Sequence, residues 1–142
     1  MSAKYIYWVA LLLYAISLTM PAFVIRSEGP FDEMRYGYEI LLLGWLGLFV
    51  GQMAWSANLL LPAILLAIHF RHPRAAAGLA AIAAAIGLQA LLVDRLPRNE
   101  AGVNDLVVDH LGSGFYLWEI SFMLMLAYCF TMVTASNRNS QT

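Results

Sequence analysis

Glu119 is the residue whose setting most demands a chemical explanation. It follows Phe115-Tyr116-Leu117-Trp118 and opens a long apolar run. An acid inside a membrane-length apolar segment marks a functional site by default. Glu119 sits about one turn, ~6 Å, inside its segment. From there it can also reach interfacial water, Arg95 or Arg98, which is a structural role. Glu39 opens the greasy segment Tyr38–Leu48, where a helix N-terminus favours negative charge. If Glu39 and Glu119 meet in space, the pair can share one proton or hold a cation. Trp55-Ser56-Ala57-Asn58, with Pro62 four residues on, forms a polar break. Pro62 removes the donor to the Asn58 carbonyl, and the Asn58 amide needs a partner on another helix or on freed backbone. Transporters build ion and substrate sites from such breaks, but in inverted pairs. No second broken helix is visible here, so interhelical hydrogen bonding is the favoured role of Asn58.

The remaining reactive groups form no known catalytic pattern. Asp105, Asp109 and His110 lie together in one loop, yet no further histidine or thiolate joins them at metal-ligand spacing. An enzyme acting on a lipid would need these three to converge at the bilayer surface. His69 and His72 flank the end of one apolar segment, and facing spans hold no histidines for haem. Cys129 is the single cysteine, which excludes disulfide and dithiol chemistry. There is no phosphate loop, dinucleotide fingerprint, zinc-protease motif or serine elbow. No cofactor and no metal is expected.

The elements that position these groups follow from composition. The chain has 142 residues, of which 61% are hydrophobic and 12% charged, with a net charge of −1. Soluble domains run nearer 45–50% apolar and ~25% charged, and a chain this short has no core that could hide the excess. The near-zero charge gives no basic field for nucleic acid. An integral membrane protein remains. About 20 apolar residues cross ~30 Å of hydrocarbon. Four segments qualify, at about 5–25, 52–70, 75–93 and 115–134. The segment at about 37–50 is surplus, and is expected as an extra interfacial or re-entrant helix. The whole chain is read as a single all-α membrane domain, a four-transmembrane-helix bundle with that extra helix.

Charge sets the orientation. Arg71-His72-Pro73-Arg74, Lys4 and Arg138 all belong on the cytoplasmic side by the excess of basic residues in inner loops. Four crossings satisfy all three, with both termini cytoplasmic; five would not. Glu28, Asp32, Glu33, Glu39, Asp94, Glu100, Asp105, Asp109 and Glu119 then lie on or near the outer side. Lys4 and the apolar run after it resemble a signal peptide ending near Ser17, but the run continues to Ile25, which favours a retained span. Val103 to Leu111 mixes apolar and acidic residues and is expected to pack on the outer surface as a short helix or strand. Ala76, Ala80, Ala84 and Gly87 place small residues at helical spacing, a face that lets backbones approach closely.

Two resemblances bear on function. Tyr5-Ile6-Tyr7-Trp8 and the four-span size are similar to small multidrug-resistance exporters, but those carry a glutamate in the first span and this span has no acid. The second rests on Ser17-Leu18-Thr19-Met20-Pro21-Ala22, Leu43-Gly44-Trp45, Ala54-Trp55-Ser56-Ala57-Asn58 and Phe115-Tyr116-Leu117-Trp118. Together they resemble a recurring set of uncharacterised four-span bacterial inner-membrane proteins, which implies that location and no activity. The expectation is a non-enzymatic inner-membrane protein in the lipid bilayer, binding a membrane protein partner or lipid as an accessory or immunity-type protein, or forming a homo-oligomer. The alternative is a small carrier or channel for a proton, cation or amphiphile that uses Glu119.

Overall fold

The computed structural model describes residues 3–26, 33–96 and 106–139. Glu28, Asp32, Arg98, Glu100 and Asp105 lie outside the described residues. Helix α1 (Ala3–Leu18) leads into strand β1 (Pro21–Ile25). Strand β2 (Glu33–Tyr36) runs directly into helix α2 (Gly37–Leu43), which tightens into a 3-10 helix, Gly44–Val50. A 3-10 turn, Ala54–Ser56, starts helix α3 (Ala57–His69). Helix α4 (Pro73–Gly87) also ends in a 3-10 helix, Leu88–Leu92. Strands β3 (Arg95–Leu96) and β4 (Leu106–Leu111) precede the long helix α5 (Ser113–Asn139).

The chain is mostly helical, but it is not all-α. The four strands form one antiparallel sheet in the order β2-β1-β4-β3. Phe23 pairs with Arg35 on one side and with Leu111 on the other. The segment expected to be helical over 5–25 therefore divides. Pro21 lacks an N–H and its ring clashes with a helix carbonyl four residues back. The Ser17 and Thr19 hydroxyls meanwhile bond back to the Tyr14 and Ile16 carbonyls, at 2.6 and 2.8 Å. Helix α1 stops, and Pro21 takes the first position of a strand, where proline is tolerated. β1 is one of the two inner strands, and Ala22, Phe23, Val24 and Ile25 are all buried. A strand covered on both faces reads as a continuous apolar run, so its sequence looks like more helix. Within Val103 to Leu111, the described part is β4, which settles the choice there for a strand.

Helix α5 packs against α1 and against α4, and α3 packs on α4. Ala76, Ala77, Ala80, Ala83, Ala84 and Gly87 are buried along α4. The five alanines share a core with Ala10, Ala57, Ile64, Phe122, Met125 and Cys129. The small-residue face is thus covered within the chain, where it lets α4 approach its neighbours closely. Among the described residues, two helices are long and apolar enough to cross a membrane: Pro73–Leu92, of 20 residues, and Ser113–Arg138, of 26. The helices Lys4–Leu18, Gly37–Phe49 and Ala54–His69 are apolar but shorter.

Candidate functional site: a cleft beneath the sheet

Asn58 stands in the first turn of α3 and gathers three helices. Its Oδ1 accepts the Tyr14 hydroxyl of α1 at 3.0 Å and the Trp118 indole N–H of α5 at 2.8 Å. Both lone pairs of that oxygen are then used. The Asn58 Nδ2 group donates to no described residue, and Asn58 lines a cavity of about 60 Å³. The other walls are almost wholly apolar, among them Leu18, Ala22, Phe23, Ile40 and Phe115. The cavity lies where the helices meet β1 and α2.

A second cavity, of about 140 Å³, adjoins it. Phe23, Ile40, Ala54, Trp55 and Ala90 line both. Trp55 holds the shared wall: its indole N–H donates to the Leu41 carbonyl at 2.9 Å, one of the carbonyls that a helix C-terminus leaves unpaired. The indole lies so close to α2 that a Cβ at Gly44 would collide with it. The 51–53 turn is clamped from α4's extension. Gln89 Oε1 accepts the Met53 N–H at 2.7 Å, and Gln89 Nε2 donates to the Gly51 carbonyl at 3.3 Å. Gln52 Nε2 donates to the Arg95 carbonyl, tying the same turn to β3. Polar groups enter the larger cavity through Arg35, Glu39 and Gln52. Glu39 Oε2 accepts the Tyr36 N–H at 2.9 Å, and Arg35 Nη2 pairs with Glu33 Oε1 at 2.6 Å.

Of the residues singled out in the sequence, Asn58, Trp55 and Glu39 come together around this cleft. Glu119 does not. It is 7% exposed, lines neither cavity, and neither carboxyl oxygen has a hydrogen-bond partner among the described residues. It packs against Gly87 of α4, where a Cβ would run into Oε2. Arg95 does not pair with it. The proposed Glu39–Glu119 pair is therefore not assembled, because Glu39 caps α2 while Glu119 faces α4. Gly87 joins Ala76, Ala80 and Ala84 on the buried face of α4.

On the far side of the sheet, Arg26 reaches Asp109 Oδ1 through Nη2 at 2.9 Å and Nε at 3.3 Å. His110 Nδ1 lies 3.0 Å from Oδ2. The His110 hydrogen bond, then Arg26, hold the Asp109 carboxyl below its ordinary range. No group of three metal-ligating side chains occurs among the described residues. His69 and His72 are exposed at the α3–α4 turn. Tyr14, Trp118 and Gln89 were not recognised from sequence as cleft-building residues. Gln89 left one trace, as the single polar residue in its apolar segment. No family model, curated protein or solved structure matches the chain.

Proposed function

We propose that the chain is a non-enzymatic integral membrane protein of four crossings, in a bacterial inner membrane, whose cleft holds the apolar part of a lipid. Of the two partners expected from sequence, a lipid fits the cleft better than a protein. The observation that carries this is the pair of adjoining, mostly apolar cavities, with an amide donor, Asn58 Nδ2, that bonds to no described residue in the wall of the smaller one. Binding sites are mostly apolar concavities with a few placed polar groups. An apolar chain suits the walls, and an acceptor such as an ester carbonyl suits the amide.

The membrane setting is supported by what the helices leave uncovered. Leu12, Leu59, Leu66, Ile82, Ile120 and Phe130 are exposed on four different helices. Large apolar side chains left exposed on every one of these helices favour a membrane or protein contact. α1 and α3 are short for a crossing, yet they run beside α4 and α5, and the sheet and α2 complete the thickness at one end. Phe49 and Leu92 are 78% and 82% exposed near that end, which suits burial of the α2 region in one leaflet. The Arg71–Arg74 turn lies at the opposite end, so the positive-inside rule puts the sheet outside and both helix termini, at Ala3 and Asn139, in the cytoplasm.

Native mass spectrometry of protein extracted gently into nanodiscs tests the reading. A lipid is expected to stay bound at one per chain. Ala90→Phe fills both cavities and is expected to release it, while Gly78→Ala, where a Cβ meets open space, is expected to retain it. A stoichiometric second protein in place of lipid would overturn the lipid reading in favour of an accessory subunit.

A further inference from the structure

We infer that the mouth of the larger cavity selects a lipid whose headgroup carries both a phosphate and a primary amine. This rests on the lipid reading of the cleft and adds the chemistry of its occupant. Two opposite charges line a mostly apolar cavity, Arg35 from β2 and Glu39 from α2, with the Gln52 side chain as the other polar lining group. They stand four residues apart because β2 passes into α2 without a loop.

Each has capacity left for a guest. A guanidinium carries five N–H donors in a planar fork suited to phosphate, and the Glu33 pair uses Nη2 alone of its nitrogens. Glu39 Oε2 takes the Tyr36 N–H. Among the described residues no donor reaches Oε1, so an ammonium N–H can. Charge-assisted bonds of this kind are about twice as strong as neutral ones.

The balance of charge also excludes a class. Glu33, Arg35 and Glu39 sum to −1, so a headgroup with only negative charge meets net repulsion. A zwitterion places its phosphate at Arg35 and its amine at Glu39. A quaternary ammonium brings the same charge but has no N–H for Oε1. An ethanolamine phospholipid satisfies both groups, and the acyl chain then extends toward Phe23, Trp55 and Ala90.

The test uses the full chain in nanodiscs of equal phosphatidylethanolamine, phosphatidylcholine and phosphatidylglycerol. The lipid retained after mild detergent transfer is read by native mass spectrometry. Ethanolamine lipid is expected in roughly fivefold excess or more over each of the others, as one charge-assisted bond allows. Glu39→Gln is expected to remove the preference over choline lipid, and Glu39→Asp to keep part of it. In nanodiscs to which diacylglycerol is added as a fourth component, Arg35→Gln is expected to let it compete, with Arg35→Lys intermediate. Equal retention of the three lipids overturns the headgroup assignment and leaves the cleft reading standing. Retention of none overturns the cleft reading itself. An ethanolamine preference that survives Glu39→Gln in a normally folded variant overturns the role of Glu39.

Discussion

Asn58 and Glu119 are both polar side chains set in long apolar segments, yet the fold treats them oppositely. Asn58 has both lone pairs of its oxygen filled, by donors from two other helices. Glu119 is buried with neither oxygen bonded among the described residues. Residue type alone ranks them the other way, since an intramembrane acid is the stronger functional signal. What separates them is neighbours. Tyr14 and Trp118 carry donors to Asn58 from α1 and α5, while no described residue carries a donor to Glu119, which packs against Gly87 of α4. The polar residue that organises the cleft is the one with partners. The acid has no such partner among the described residues, and Gly87 leaves room for it.

The contrast can be broken from either side. Gly87→Ala should have the largest effect, because the new Cβ meets Glu119 Oε2 and comes within 3.0 Å of the Trp118 ring. Overpacking of this kind costs about 1–3 kcal/mol, read as a lower melting temperature in detergent. Gly87→Ala combined with Glu119→Ala should recover part of the loss, and a purely additive pair would show that the two residues do not touch. Asn58→Leu should follow closely. It removes two interhelical hydrogen bonds, each worth about 0.6 and at most ~1.7 kcal/mol in membranes, and strands the Tyr14 and Trp118 donors. Loss of the cleft's lipid should accompany it.

Glu119→Leu should move stability in the opposite direction, by about 1 kcal/mol, because it removes a buried group that lacks a partner. Destabilisation instead would mean that the carboxyl has a bonding role. The smallest effect belongs to Asp109→Asn at the exposed Arg26 pair, close to the detection limit of a thermal scan, as for most surface ion pairs. Its pH dependence has a definite sign. Folding lowers the Asp109 pKa from 3.8, so its contribution is fully present above that value. It is lost as acid protonates the carboxylate below it. A stability difference between wild type and Asp109→Asn that grows as the pH falls below about 4 would contradict this.

The helical character of the chain was legible, and so was α4's packing face, because small residues at helical spacing have few other uses in such a segment. The start of α3 was legible in part from the polar cluster Trp55–Asn58. The sheet was not. β1 is apolar at every position and continues the α1 run without a change in composition. Its partner strands are short, and β4 pairs with it across more than 80 residues, as Arg26 and Asp109 show. No local pattern encodes such a pairing. The cleft was illegible for the same reason, since its walls come from α1, β1, α2, α3, the 3-10 helix after α4, and α5 at once. Single residues of it, Trp55 and Asn58 above all, stood out without revealing what they enclose.

Pairing of β1 with β4 also dictates an order of assembly. β1 leaves the ribosome early, directly behind α1, whereas β4 is made just ahead of the last helix. Strand β1 must wait, with one edge bare, while three helices are synthesised. Only the arrival of α5 brings both β4 and Trp118 into place. Chains halted before residue 106 should therefore expose the β1 edge and remain open to proteolysis or to quality control, and the cleft is the last feature of the molecule to come into being.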